Sequence, residues 1–117
     1  MNWEKAKEQL LTKIKVGDKI DPKSKIREVI EVPSSLNDGY KVLISNNGTS
    51  IIITMDMLRN IFIKSVEGNK IYNKSVIYGL YKKQVDTHSC FVHVVGRLFT
   101  HAEIMVKYNS RNFKLII

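Results

Sequence analysis

One short segment gathers the side chains that could do metal chemistry. It is His88-Ser89-Cys90-Phe91-Val92-His93, with His101 further along the chain. Zn²⁺ prefers thiolate and imidazole ligands, and Cys90 and His93 stand at i and i+3, where one helix could point both at one ion. His88, however, precedes the predicted helix, and His101 lies more than two turns beyond His93. Four ligands therefore do not come together, and we expect neither a metal nor another cofactor.

Cys90 is also the candidate for a nucleophile. Such a role needs a nearby base and a group that orients the base. His93 could be the base, but no partner acid accompanies it, the glycines lack phosphate-loop spacing, and the carboxylates show no nuclease pattern. We therefore expect a protein without catalytic activity. A single cysteine cannot form an internal disulfide and fits a reducing compartment, so a cytoplasmic location is expected.

The charge of the chain favours anionic partners. Lys and Arg number 19 against 11 Asp and Glu, a formal net charge of +8. Residues 1–53 carry 9 basic and 7 acidic side chains, whereas residues 54–117 carry 10 and 4. An excess of this kind attracts polyanions, because each contacted phosphate releases counterions. The alternative is a lysine-rich surface that only keeps the protein in solution. A membrane span is not expected, since no segment approaches roughly 18 consecutive apolar residues.

The first half of the chain predicts a helix followed by a β-meander. Trp3, Ala6, Leu10 and Ile14 recur at helical spacing, which predicts an amphipathic helix over residues 2–15. Three extended runs follow, with Asn46-Asn47-Gly48 supplying a hairpin turn before the third. The predicted strands are Ile26–Val32, Tyr40–Ser45 and Ile51–Ile53, and the last is apolar on both faces, which predicts a central, covered strand.

The second half predicts three helices and a hairpin. Thr54 can cap the first helix and Gly68 can end it, and Lys70–Tyr72 follows as a short extended segment. Asn73 can cap a second helix whose apolar face is Ile77, Leu80 and Tyr81. The C-terminal strands are Ile104–Tyr108 and Phe113–Ile117, joined by the turn-rich tip Asn109–Asn112.

The segment Ser89–Glu103 is predicted to be the third helix. Its apolar and polar side chains sort onto opposite faces at a period of 3.6 residues. The apolar face holds Phe91, Val94, Val95, Leu98 and Ala102, and the polar face holds Ser89, Cys90, His93, Arg97, Thr100 and His101. A strand is the alternative, because Phe91–Val95 has strong β propensity and Gly96 is a poor helix former. In the helix, Gly96 would permit the close approach of a neighbouring helix.

Residues 54–117 together resemble a winged helix-turn-helix domain, at the level of the fold and without the motif of a particular family. The expected class is therefore α+β. An N-terminal helix and three-stranded antiparallel β-meander (1–53) would pack on a winged-helix lobe of three helices and a C-terminal β-hairpin (54–117). A single compact domain is the alternative division. The resemblance implies that a recognition helix (88–103) enters the major groove of DNA and that a basic wing (104–117) flanks it.

The resemblance assigns expected DNA contacts to the basic and polar side chains of this lobe. Arg97 would bind guanine through two hydrogen bonds, with Thr100 beside it. Ser89 would donate to phosphate at the helix start. The remaining contacts would come from Lys82 and Lys83 before the recognition helix, from His93 and His101 on it, and from Lys107, Arg111 and Lys114 on the wing. The alternative is that all of these are ordinary solvated positions.

The expected function is non-catalytic binding of double-stranded DNA by a small bacterial or phage protein, with homodimerisation through the helix of Trp3 as a further expectation. One alternative is a winged-helix protein-interaction module of a phage or mobile element that docks on a host nucleic-acid enzyme. Another is an accessory or specificity subunit of a restriction-type system. A continuous stripe through Lys82, Arg97 and Arg111 would favour DNA, and an exposed apolar patch would favour a protein partner.

Overall fold

The computed structural model describes residues 1–24 and 26–116. Over these residues the chain has five α-helices and two three-stranded antiparallel sheets, so the predicted α+β class is confirmed. The elements in chain order are α1 (Trp3–Lys13), β1 (Val29–Glu31), β2 (Gly39–Leu43), β3 (Ser50–Thr54), α2 (Met55–Glu67), β4 (Ile71–Tyr72), α3 (Lys74–Leu80), α4 (Lys82–Thr87), α5 (Phe91–His101), β5 (Met105–Lys107) and β6 (Phe113–Leu115). Ile117, the end of the last predicted strand, lies outside the described residues.

The first sheet is the predicted meander, with strand order β1-β2-β3. Gly39 begins β2 directly opposite Thr54, and a Cβ at this position would lie 2.7 Å from the carbonyl oxygen of Ile53, so only glycine fits. The prediction that Ile51–Ile53 forms a central strand is wrong. β3 is at the edge of the sheet, and Ile52 points to solvent between the buried Ile51 and Ile53.

The helices of the second half begin where the capping residues predict. The side chain of Thr54 accepts a hydrogen bond from the backbone N–H of Met57, and that of Asn73 accepts one from Val76. The predicted second helix is nevertheless two helices, because the chain leaves helical geometry at Tyr81. Leu80, expected on the buried face, is consequently exposed.

The segment 91–101 is helical, so the alternative strand is ruled out. The last two strands form a hairpin, and β4 joins it to give the order β4-β6-β5 with β6 in the centre. Gly96 allows the close approach of the Phe113 ring, which belongs to the sheet, and not of a neighbouring helix. A Cβ at Gly96 would lie closer than 3.0 Å to carbons of the Phe113 ring, so this glycine seats β6 against α5.

Buried residues from both halves of the chain form one hydrophobic cluster. The ring of Trp3 lies 5.9 Å from that of Phe62, which in turn lies 6.4 Å from Phe99, the distances being between ring centroids. The apolar face of α1 is thus packed against α2 and α5. Within residues 1–24 and 26–116, no helix combines the length and apolar character that crossing a bilayer requires.

Candidate nucleic-acid interface

The polar face of α5 is covered by the loop that follows α1, the covering loop (residues 14–24). Arg97 is only 7% exposed, and its Nε lies 3.9 Å from Oδ1 of Asp21, which is itself buried. The expected exposure of Arg97 is therefore wrong. A helical pattern separates polar from apolar side chains, but it cannot show that another segment supplies a carboxylate to the polar ones. Reading bases with Arg97 would require this face to be uncovered.

His93 belongs to the same buried network. Arg97 Nε donates to His93 Nε2 over 3.2 Å, and that nitrogen also lies 3.3 Å from Oδ2 of Asp21. One ring nitrogen cannot accept from Arg97 and donate to Asp21 at once. Burial lowers the pKa of His93, as do the charges of Lys107 and Arg97, against the opposing effect of Asp21. The neutral ring, accepting from Arg97, is thus the favoured form near pH 7.

A second carboxylate of the covering loop holds the other end of α5. His101 Nε2 lies 2.9 Å from Oδ2 of Asp18, and the same oxygen accepts from the backbone N–H of Lys15. Burial alone would raise the pKa of Asp18, but the Lys15 N–H and His101 outweigh it and the pKa is lowered. For Asp21, burial is likewise outweighed, by the backbone N–H of Lys23 and the charges of Arg97 and His93, and the pKa is lowered.

The two hydroxyl groups predicted to contact DNA are placed differently from each other. Ser89 is exposed, but it lies in the turn before α5 and not in the helix. Thr100 is half-buried, and its hydroxyl donates to the carbonyl oxygen of Gly96 over 2.7 Å. The donor that was expected to contact a base is thus already used within α5.

The lysines of α3 and α4 are exposed, as predicted for Lys82 and Lys83. Lys82 pairs with Asp86 at 3.3 Å, and its Nζ lies 5.8 Å from the centroid of the Tyr78 ring. Lys74 lies at the same distance from that ring. The ammonium groups of Lys74 and Lys82 therefore both lie near the ring of Tyr78.

The predicted wing residues lie on two sides of the second sheet. Lys107 pairs in register with Phe113, and its Nζ lies 5.4 Å from that ring. Lys114 pairs with Val106, so it points to the opposite side of the pleat, 5.9 Å from the ring of Tyr108. Arg111 is exposed at the hairpin tip. The structure brings Lys107 and Arg111 toward α5 and separates Lys114 from them.

A cleft of about 570 Å³ separates the start of α3 from the tip of the hairpin. Its lining residues are Asn73, Lys74, Ser75, Val92, His93, Ser110, Arg111, Asn112 and Phe113, and in the described part of the chain no carboxylate is among them. Of these, only His93 and Arg111 were predicted site residues. Nothing in the local sequence pattern pairs Lys74 with Arg111.

Side-chain amides hold the two walls of this α3–hairpin cleft together. Asn73 Nδ2 donates to Asn112 Oδ1 over 2.9 Å. Asn109 Oδ1 accepts from the backbone N–H groups of Arg111 and Asn112, at 2.9 and 3.0 Å, which fixes the shape of the hairpin tip. These hydrogen bonds join the start of α3 to the hairpin tip, and so connect the two elements that carry Lys74 and Arg111.

The other groups considered for reactivity are the Cys90 thiol and clusters of metal-ligand side chains. Burial raises the pKa of the Cys90 thiol, against the nearby charge of Arg27, so the thiol is protonated near pH 7. Among residues 1–24 and 26–116, no group of three or more His, Cys, Asp or Glu side chains is arranged to hold a metal ion. What the arrangement offers is positive charge, amides and hydroxyls around a concave surface.

Comparison with known proteins gives no relative: no family model matches the chain, and no curated protein and no solved structure matches it either.

Proposed function

We propose that this chain is a non-catalytic protein that binds double-stranded DNA through a basic surface on α3, α4 and the tip of the β5–β6 hairpin. The winged-helix interpretation is part of this proposal. It is supported by the element order α2, β4, α3 with α4, α5, β5, β6 and by the strand order β4-β6-β5. A cytoplasmic location also belongs to the proposal.

The observation that carries the proposal is that Lys74 and Arg111 line the same α3–hairpin cleft. These cations come from separate elements, and the described residues place no carboxylate between them. Lys83 adds an exposed cation on α4, where the neighbouring Lys82 lies beside Tyr78 and is paired with Asp86. Duplex DNA carries closely spaced phosphates, so several such cations acting together give binding that weakens with salt.

In this proposal α5 supports the DNA-binding surface and does not enter the groove. Its backbone carbonyl at Val92 accepts a 2.6 Å hydrogen bond from the Tyr72 hydroxyl, which holds β4. Gly96 receives the ring of Phe113, which holds β6. β4 in turn packs against α3, so α5 supports both the hairpin that carries Arg111 and the strand beside α3.

The test is fluorescence-anisotropy binding to duplex DNA across a salt series. Wild type is compared with Lys74→Ala/Arg111→Ala and with Lys82→Ala/Lys83→Ala. Each lost phosphate contact should flatten the salt dependence by about one unit of slope. The control is Lys5→Ala/Lys7→Ala, which removes the same charge from exposed positions on α1. The proposal fails if micromolar protein does not bind at low salt, or if the control weakens binding as much as the other two.

A protein-interaction module is the second candidate function, supported by the outer side of the β4-β6-β5 sheet. Tyr108 is 63% exposed there and Val106 48%, with the exposed Ile116 nearby in sequence on the same hairpin. Exposed apolar side chains grouped on one sheet are typical of docking surfaces. A restriction-type accessory subunit would use either surface. If a Val106→Ser/Tyr108→Ser variant lost partner capture while Lys74→Ala/Arg111→Ala kept it, this candidate would replace DNA binding.

A further inference from the structure

We propose that the α3–hairpin cleft is a binding site for the phosphate group of a nucleotide, with Lys74 and Arg111 as its charge partners. The phosphate could belong to a free nucleotide or to the 5′ end of a DNA strand. The inference rests on the same surface as the proposed DNA binding. It goes further, because it requires the cleft to bind one nucleotide without the rest of the duplex.

The size of the cleft fits such a ligand. Its volume of about 570 Å³ falls within the roughly 300–1,000 Å³ that is usual for small-molecule sites. A contact with a single backbone phosphate needs only a flat surface and a cation, as Lys83 already provides on α4. Contact with a backbone phosphate does not require a concave site of nucleotide size, such as this cleft provides.

The polar groups of the cleft suit a phosphate in particular. The guanidinium of Arg111 can donate two parallel hydrogen bonds to phosphate oxygens, and the ammonium of Lys74 supplies a point charge on the other wall. Ser75 and Ser110 add hydroxyl donors on the same two walls. Donor-bearing side chains line both walls, and the described lining residues include no carboxylate, which favours an anion with several acceptor oxygens.

Further positive charge lies beside the cleft. Lys107 lies over the ring of Phe113, which lines the cleft. Burial lowers the pKa of Lys107, and the charges of Arg97 and Lys23 lower it further, with only Asp21 opposing them. A bound anion would relieve this crowding of cations. Asp21 cannot do so fully, because it is buried against Arg97 and His93.

An apolar part of the lining supports a nucleotide over inorganic phosphate. Val92 is half-buried at the start of α5, and Phe113 closes the cleft beside it. Ligand sites commonly combine such apolar surface with a few placed polar groups. The sugar and base of a nucleotide would cover Val92 while its phosphate reaches Lys74 and Arg111.

The test is titration of the folded full chain with adenosine monophosphate, followed by amide NMR shifts and by calorimetry. Adenosine and inorganic phosphate serve as the partial ligands. The expected result is binding of the nucleotide, shifts concentrated in residues 73–75 and 110–113, and weaker binding of both partial ligands. Lys74→Ala and Arg111→Ala should each weaken binding by about tenfold, as expected for a lost charge-assisted hydrogen bond. Lys7→Ala, which removes an exposed lysine of α1 outside the cleft lining, should leave nucleotide binding unchanged.

Competition with duplex DNA separates this inference from the proposed function. If the nucleotide does not bind, or shifts other residues, the inference is wrong even where the duplex binds. If the nucleotide binds in the cleft and the duplex does not bind, the inference stands and the proposed function fails. Duplexes with and without a 5′ phosphate identify the source. Tighter binding of the duplex with a 5′ phosphate assigns the site to strand ends. Equal affinity for the two duplexes assigns the site to free nucleotides. Both results support a phosphate site in the cleft.

Discussion

The Nε atom of Arg97 lies 3.9 Å from Oδ1 of Asp21, and 9% of each side chain is exposed. The contact joins α5 to the covering loop, and His93 completes it through its hydrogen bond with Arg97. Buried charges persist only when they are paired, so Arg97 and Asp21 depend on each other, and the half-buried, neutral His93 ring accepts a hydrogen bond from Arg97. Arg97 therefore links the two halves of the chain, and its removal would disturb folding before it disturbed any ligand.

Replacing Asp21 by Asn should destabilise the fold by roughly 3 kcal/mol, because the buried guanidinium of Arg97 loses its counter-charge. Urea denaturation at pH 7 measures the effect. The matched control is Asp18→Asn, whose carboxylate is 29% exposed beside His101. Since exposed pairs contribute up to about 1 kcal/mol, the control should cost less. Equal losses for the two variants would show that burial of the Arg97 pair does not matter.

Stability should fall as the solution is made acidic, in two stages. The pKa of His93 in the folded protein is lowered from its ordinary 6.5, so as the pH falls the imidazole is protonated in the unfolded chain before it is protonated in the folded one. The free energy of unfolding therefore declines as the pH drops below 6.5 toward the folded-state pKa. The pKa values of Asp18 and Asp21 are lowered below 3.8, so their contribution is present above that pH and is lost as pH falls through the folded values.

Urea unfolding between pH 8 and pH 3 would resolve the two stages. A His93→Gln variant keeps an acceptor for Arg97 but cannot titrate, so its stability should lack the first decline and keep the second. If His93→Gln followed the wild-type curve between pH 7 and pH 5, the imidazole would not be the titrating group.

Two buried tyrosines should respond in opposite ways to loss of their hydroxyl groups. Tyr72→Phe removes the 2.6 Å hydrogen bond to the carbonyl of Val92 and should cost about 1 kcal/mol, the usual contribution of one such hydrogen bond. The buried hydroxyl of Tyr40 has no partner within residues 1–24 and 26–116. Tyr40→Phe should therefore leave the thermal midpoint unchanged or raise it. A large loss for Tyr40→Phe would contradict the assignment.

Gly96→Ala should destabilise the protein by about 1–3 kcal/mol, because the new methyl group would overlap the buried ring of Phe113. Gly79→Ala in α3 is the control. A Cβ there has no atom within 4 Å, so the change should stabilise that helix by up to about 1 kcal/mol. Combining Gly96→Ala with Phe113→Leu should cost less than the sum of the two single changes, measured by denaturation. Strict additivity would mean that the two residues do not collide.

The order and type of the elements could be predicted from the sequence, since local signals determine them. Thr54 and Asn73 cap helices where expected, and the hydrophobic period of 91–101 distinguishes helix from strand. The break at Tyr81 could not be predicted in this way. Its hydroxyl accepts a 2.9 Å hydrogen bond from Asn60 on another helix, a contact that sequence periodicity does not contain.

The candidate site was less accessible to prediction, for a related reason. Helical periodicity correctly put Arg97 and His93 on a polar face. Polar faces are usually solvated, but here both side chains are paired with Asp21 from the covering loop. Lys74 and Arg111 line one cleft because α3 packs against β4 and β4 pairs with β6 of the hairpin. Contacts between segments far apart in the chain leave no local trace in composition or spacing.

Gln9 Nε2 donates a 2.9 Å hydrogen bond to the carbonyl oxygen of Ala102, and the two residues are 93 positions apart in the sequence. Closing so long a loop costs chain entropy before any contact compensates for it, so α1 should dock after α2, α5 and the second sheet have assembled. In stopped-flow kinetics, Gln9→Ala should then speed unfolding and leave the refolding rate unchanged. During translation α1 leaves the ribosome before every other helix of the fold. Its apolar face packs on α5 as well as on α2, so it can be covered fully only after the last turn of α5 has been synthesised.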